Sequence, residues 1–359
     1  MPPKKPTATP TRSAVKRDVN DKSLGRTADD YKGRSEFIHI MKSPDYVIGA
    51  TKRRNVEEMV YDFETRKMKK VTMDLPDGVK RVFLEIASNA CDASFFSLMK
   101  RVDPGPITFV FTNDGYLSIS NGGLPIPVEP HADSTEQNLI LVPRKTFGEL
   151  RQSTNYDEKV ERYGSGRNGF GAKLTNMFSD RFILEIGDSG RLDKDGNLIS
   201  GQHYVGEWKW GVHEDEIDET TKKPVSGGMI FVRDEATPGY AKDSELQQSD
   251  NKVGWRRKTS KAYKGKSFVK IEWLLNFERF GMESKYSENE IGLFTRYILE
   301  TSLSTKIPVE INGHKFDFRN LRDFASLIWP EEVVKTAVSQ FCWPKGIHAP
   351  EGFEELRPL

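Results

Sequence analysis

The sequence predicts an α/β fold in which helices cover a strand-rich, mostly antiparallel sheet. Three observations carry that expectation. In Arg81 to Ser94, Val82, Phe83, Ile86, Ala90 and Ala93 recur at helical spacing, the mark of an amphipathic helix docked on a core. Asn113-Asp114-Gly115 and Asn312-Gly313 each stand between apolar runs, and such turns favour the positive φ of tight hairpins. From Phe182 onward, short apolar runs alternate with turn residues, as strands do.

Each element then follows in chain order. Residues 1–35 hold nine Lys/Arg against four Asp, a net of +5 in a chain whose total is +1. This Pro/Thr-rich opening has no apolar periodicity and is expected to be a disordered basic tail, solvated or in loose contact with DNA. Order is expected from Glu36, with a short apolar run at Tyr46 to Ile48 closed by Gly49, then two strands around a polar turn at Glu64 to Lys67. The 81–94 helix follows Pro76-Asp77-Gly78, and strands at Ile107 to Thr112 and Tyr116 to Ser120 flank the first hairpin turn. Residues 144–156 read as a short helix and a polar loop. A glycine-rich stretch then opens the helical LTNMFS. Strands are expected at RFILEIGD, HYVGEWKWGV and GGMIFVRD, and residues 236–266 read as a long polar, Lys-rich loop or insertion. A strand at Ser267 to Trp273, a helix at Asn289 to Ser302, the Asn312-Gly313 hairpin and a helix in LRDFASLIW complete the chain.

Bulk properties narrow the class. With 359 residues, 36% hydrophobic and 30% charged, the composition suits one large α/β domain with decorations, or two to three average domains. No apolar run reads as a membrane span, and Cys91 and Cys342 have neither metal spacing nor a disulfide framework, so an intracellular, reducing compartment is expected. Outside the tail the charge is −4, which gives no overall nucleic-acid footprint; WRRKTSKAYKGK at 255–266 is the basic stretch interleaved with aromatics. Asp193-Lys194-Asp195-Gly196 has its Gly too early for an EF-hand loop and reads as a hairpin turn, and His213 to Glu216 reads as an acidic surface turn.

Two features carry chemistry. Glu85, Asn89 and Asp92 lie at i, i+4 and i+7, so a helix projects an acid, an amide and a second acid from one face. Tyr163-Gly164-Ser165-Gly166-Arg167-Asn168-Gly169-Phe170-Gly171-Ala172-Lys173 opens a helix with four glycines, an Arg and a Lys, and bare backbone N–H groups there suit phosphate. The GxGxxG at 164–169 follows the charged DEKVERY rather than a strand, so it is not the dinucleotide fingerprint. Nor is it a P-loop, because Ala172 separates Gly171 from Lys173.

In this order the pieces resemble the ATPase domain of type IIA DNA topoisomerases, in the eukaryotic or viral form, within the wider GHKL group that includes gyrase B and MutL. LEIASNACD is similar to the first family box, ISNGGLPIPVE to the second, LRQSTNYDEK to the ribose-side loop and GRNGFGAKLTNMFS to the lid motif. INGHKFDFRNLRDF resembles the stretch leading into the transducer domain. The resemblance implies a GHKL (Bergerat) sandwich, a mixed, mostly antiparallel sheet with helices on one face, over residues 36–318, with residues 319–359 beginning a truncated transducer-like domain.

It also implies roles. Glu85 would be the general base, Asn89 the magnesium ligand, and Asp92 a support to the nucleotide through water. Asn121 would contact adenine, and Ser153, Thr154 and Asn155 the ribose side. Gly166, Arg167, Asn168, Gly169, Phe170, Gly171, Ala172 and Lys173 would wrap the triphosphate, with Lys173 neutralising charge; Ser267 matches a hydroxyl residue of the third box. Pro125 replaces the usual last glycine of the second box, and Leu124 a common basic residue. The 359 residues contain neither the transducer lysine, the TOPRIM module nor the DNA-cutting tyrosine, so this polypeptide is not expected to break DNA.

The expected cofactors are ATP and Mg2+. The expected partners are DNA through the complete enzyme, topoisomerase core domains or a partner subunit, and a second copy in a nucleotide-dependent homodimer, with no membrane. A nuclear or viral DNA-replication compartment follows if the source is eukaryotic or viral. A MORC- or MutL-like ATPase and a non-hydrolysing nucleotide-binding module remain as alternative readings.

Overall fold

The computed structural model describes residues 39–41, 43–132, 141–148, 171–193, 195–209, 255–258, 262–318, 320–331 and 334. A four-residue helix, α1 (Asp45–Ile48), occupies the first apolar run. The hairpin β1 (Asn55–Asp62) and β2 (Lys67–Asp74) follows as a separate two-stranded sheet. Then come α2 (Asp77–Met99), β3 (Ile107–Phe111), β4 (Tyr116–Gly122), α3 (Val142–Gly148), α4 (Gly171–Met177), β5 (Ser179–Leu192) and β6 (Leu198–Lys209). The remainder is β7 (Trp255–Lys258), β8 (Phe268–Leu275), α5 (Glu288–Thr305), β9 (Val309–Ile311), β10 (His314–Phe316) and α6 (Leu321–Ala325).

Eight strands form the main sheet in the order β10-β9-β3-β4-β8-β5-β6-β7. Only β3 and β9 run parallel, so the sheet is mixed and mostly antiparallel. The core lies between this sheet and α2, α4 and α5. Phe83 of α2 stacks on Phe294 of α5 with ring centroids 4.3 Å apart, and both residues are at most 1% exposed. Large aromatics from the sheet, Phe109, Phe182, Trp208 and Trp273, are buried in the same cluster.

Local chemistry fixes the helix ends. Ser287 caps α5 by accepting the Glu290 N–H while the Glu290 carboxylate accepts the Ser287 N–H at 2.7 Å, a reciprocal capping box. Helix α2 starts after Pro76, whose extended backbone ends the preceding segment, and Asp77 in its first turn suits the positive end of the helix dipole. It runs beyond the predicted 81–94 at both ends, because Val79 continues the buried stripe at the start and Ser97 at the end. By length and composition α2 is apolar enough to cross a membrane, which corrects the expectation drawn from the sequence; here its apolar stripe lies in the core.

Two further departures concern strands. Residues 236–266 read as a loop, yet Trp255–Lys258 pairs antiparallel with β6 at the outer edge of the sheet. Strand β5 runs past RFILEIGD to Leu192, and the turn at 193–197 closes by local hydrogen bonds. The Asn197 side-chain amide donates to Asp193 Oδ2 at 3.0 Å, and Asp193 Oδ1 accepts the N–H groups of Asn197 at 2.8 Å and Asp195 at 2.9 Å, which together hold its carboxyl below the usual range in an ordinary hairpin turn. The predicted GGMIFVRD strand, the 213–216 turn and the basic tail lie outside the described residues. Near the C-terminus, Phe318 and Phe324 meet edge to face at 5.6 Å and join the main apolar cluster.

Candidate active site

Burial of Val82, Phe83, Ile86, Ala87 and Ala90 fixes the rotation of α2, so Glu85, Asn89 and Asp92 emerge half-buried on its other side. Glu85 Oε1 pairs with Arg81 one turn earlier. Burial raises the Glu85 carboxyl above its ordinary pKa, and the Arg81 guanidinium opposes that rise. Gly171, the first residue of α4, lies against the same face. A Cβ built on Gly171 would stand 2.5 Å from Glu85 Oε2 and 3.4 Å from Asn89 Nδ2. The first and fourth predicted motifs therefore meet, and a side chain at 171 would occupy the space beside the acid.

Helix α4 is tied to α2 directly. Thr175, fully buried, donates its hydroxyl to the Val82 carbonyl at 2.8 Å. Asn176 donates to the Phe147 carbonyl of α3 at 3.1 Å, and Ser179 returns a bond to the Thr175 carbonyl at 2.6 Å. Lys173 is 4% exposed, and desolvation lowers its pKa to about 8. An amine held this way gains from a ligand that supplies negative charge.

A second group forms at the end of the sheet. Asn121, 7% exposed, is next to last in β4 opposite Val269 of β8 and donates to the Gly122 carbonyl at 3.0 Å. Ser267 immediately precedes β8. Its hydroxyl accepts the Ser189 N–H at 3.1 Å and lies 2.7 Å from the Ser189 hydroxyl. The turn after β4 is set by Gly123 at φ 100°, where a Cβ would fall 2.3 Å from Ser97 Oγ. Ser97 Oγ accepts the Leu124 N–H at 2.9 Å, so the end of α2 fixes this turn where Leu124-Pro125 depart from the family pattern.

Of the predicted site residues, Glu85, Asn89, Asp92, Asn121, Gly171, Ala172, Lys173 and Ser267 are described. Glu85, Asn89 and Gly171 come together, while Asn121 and Ser267 lie at the same end of the β4–β8 pair. Ser153, Thr154, Asn155, Gly166, Arg167, Asn168, Gly169 and Phe170 lie outside the described residues. Sequence reading missed Ser97, Thr175, Asp188 and Ser189. Their roles depend on partners elsewhere in the chain, and Asp188 closes the predicted RFILEIGD strand with no local signal to mark it.

Among the described residues no cluster of three or more His, Cys, Asp or Glu could hold a metal ion unaided. A magnesium ion carried mainly by phosphates needs only one or two protein oxygens. The half-buried Asn89 amide, one turn from Glu85, fits that limited requirement.

No family model matches the chain. It is 28% identical over 305 residues to DNA topoisomerase 2 of Candida glabrata, a match covering 84% of this chain and 18% of that protein. The corresponding enzyme of Saccharomyces cerevisiae gives 28% over 303 residues, covering 84% and 17%. The chain thus spans less than a fifth of the length of these curated relatives. Among solved structures, the ATPase region of Saccharomyces cerevisiae topoisomerase II matches with a TM-score of 0.62 and 26% identity, over 84% of this chain and 65% of that one. The ATPase and transducer domains of the Balamuthia mandrillaris enzyme match with a TM-score of 0.58 at 21% identity, over 84% and 63%, a likeness of fold.

Proposed function

We propose that this chain, a homologue of DNA topoisomerase 2 with the GHKL fold of that enzyme's ATPase region, binds and hydrolyses Mg-ATP. The observation that carries the reading is the meeting of Glu85 and Asn89 with Gly171, the first residue of α4, which brings an acid, a side-chain amide and the last glycine of the glycine-rich stretch together. Phosphoryl transfer asks for positioning and charge neutralisation more than covalent help. Glu85 orients a water and accepts its proton; partial desolvation raises its pKa and strengthens it as a base, while the Arg81 guanidinium opposes that rise. Asn89 offers its amide oxygen to magnesium, which when bound would screen the phosphate oxygens. The Lys173 ammonium balances phosphate charge, and Asn121 and Ser267 bound the base side.

Residues 36–318 would form the ATPase domain, with 236–266 inserted in it, and 319–359 would begin a transducer-like domain. In a complete enzyme, nucleotide binding would pair two such domains and couple to passage of DNA, in the nucleus or a viral replication compartment. The DNA topoisomerase 2 relatives favour this over a MORC- or MutL-like ATPase. The test compares wild type with Glu85→Ala by equilibrium binding of a non-hydrolysable ATP analogue with magnesium and by phosphate release. Binding within about threefold of wild type and hydrolysis down by at least about 100-fold are expected, the usual scale of general-base loss. Unchanged phosphate release would remove Glu85 from the chemistry.

A further inference from the structure

Asp188 is a carboxylate 1% exposed to solvent near the end of β5, outside every motif used above. Its Oδ1 accepts the Gly190 N–H at 2.8 Å. Its Oδ2 accepts the Val128 N–H at 3.2 Å, from the segment that follows the Asn121 turn. Arg191 Nη1 stands 3.6 Å from the same Oδ2, and the other arm of that guanidinium pairs with Glu129. The loop after β4 is therefore held twice to β5, through backbone at Val128 and through side chain at Glu129.

The connection continues on both sides. The Glu129 carbonyl accepts the Val142 N–H at 2.9 Å, Pro130 bridges Leu141, and these two contacts set the start of α3. Helix α3 is bonded to α4 through Asn176 and Phe147. On the other side, Ser189 adjoins Asp188 in sequence and bonds Ser267. One buried carboxylate thus links the loop beyond Asn121, the strand end beside Ser267 and the entry to α3. A charged acceptor taking backbone N–H groups from two segments is a stiff junction, because buried charge without those donors is strongly disfavoured.

We infer that Asp188 is a positioning residue for the base side of the nucleotide site, setting the wall at Asn121 and Ser267 through Val128 and Ser189 without touching the phosphates. The inference rests on the proposed nucleotide function. Asp188→Asn keeps one acceptor but replaces the other oxygen with an NH2 that cannot accept from Val128. Arg191→Met, at a half-exposed position, removes the cation that joins Asp188 to Glu129 and spares the buried carboxylate.

The readout is competition binding of a non-hydrolysable ATP analogue, ADP and inorganic tripolyphosphate, with a thermal melt for each variant. For Asp188→Asn the two nucleotides are expected to weaken about tenfold, the scale of one charge-assisted hydrogen bond, with tripolyphosphate within twofold of wild type. Arg191→Met should show the same selectivity at two- to threefold, and it carries the test if Asp188→Asn does not fold. Equal weakening of nucleotides and tripolyphosphate, or no weakening of either, would overturn the assignment. If wild type itself binds neither probe, the nucleotide reading falls and this inference with it.

Discussion

The two halves of the candidate site hold their polar groups in opposite ways. On α2 and α4, Glu85 and Lys173 are ionisable groups displaced from their ordinary pKa values, and desolvation is the leading cause in both. At the sheet end, Asn121, Ser267 and Asp188 are engaged by hydrogen bonds from the fold itself. The first half stores an electrostatic cost that a charged ligand can relieve; the second presets a shape. Displaced ionisable groups gathered at one place mark where charge is to be handled, and satisfied networks mark where geometry is kept. Substitutions on the first side should therefore change binding and turnover with little loss of stability, and those at its packing contacts should do the reverse.

The largest effect expected on that division comes from Lys173. In the ligand-free protein it loses its proton near pH 8, against 10.5 for an ordinary lysine, so the charged form is disfavoured by the fold. Below about pH 8 the ammonium is present and can pair with phosphate. Above it the amine is neutral, so affinity for the ATP analogue should fall as pH rises through 8 to 9, approaching tenfold per unit. Lys173→Met should bind about 10- to 100-fold more weakly at pH 7 and lose that pH dependence. The sign for stability is opposite. Because the folded pKa lies below the unfolded one, the protonated amine destabilises the free fold below pH 8, and the penalty fades between 8 and 10.5. Chemical denaturation at pH 7 should accordingly find Lys173→Met at least as stable as wild type. A less stable variant with a wild-type binding profile would place the lysine among ordinary packing groups.

Gly171→Ala tests the contact between the two motifs with a single methyl. The atom it would meet first is Glu85 Oε2, at 2.5 Å, the far end of a side chain that can swing away. Melting temperature should stay within about 2 °C, since a mobile carboxylate absorbs the clash. The acid would be turned from its place, so phosphate release should fall about tenfold with binding of the analogue changed less than threefold. If binding and turnover fell together, Gly171 would serve the ligand rather than Glu85.

Much of the fold was legible because local patterns and long-range packing agree. The stripe Val82-Phe83-Ile86-Ala90 gave the core helix, and the turns at 113–115 and 312–313 gave two hairpins that the structure forms. The triad on α2 and the glycine-rich stretch were readable as separate signals, since each depends on spacing of a few residues. Their meeting was not, because it depends on a contact between residues 85 and 171 that only tertiary packing makes. Strand β7 was hidden for a related reason. Trp255-Arg256-Arg257-Lys258 shows no alternation of apolar and polar residues in sequence, and it is a strand because β6 offers it an edge. Asp188 was invisible in sequence since its partner Val128 lies sixty residues away.

The smallest effect expected is at Thr175, on the packing contact between the two helices. Its side chain is fully buried and donates one hydrogen bond to the Val82 carbonyl, an oxygen that α2 already uses as a helical acceptor. Thr175→Val keeps the volume and removes that donor without stranding an unsatisfied acceptor. The loss should therefore be about 1 kcal/mol in denaturant unfolding, the net worth of a single neutral hydrogen bond. Ser179 still anchors α4 through the Thr175 carbonyl, so Gly171 should keep its place against Glu85 and phosphate release should fall less than threefold. A drop in turnover larger than that seen for Gly171→Ala would mean that the α2–α4 bond itself sets the carboxylate geometry, and the division between charge-handling and shape-keeping groups would then run through Thr175 rather than beside it.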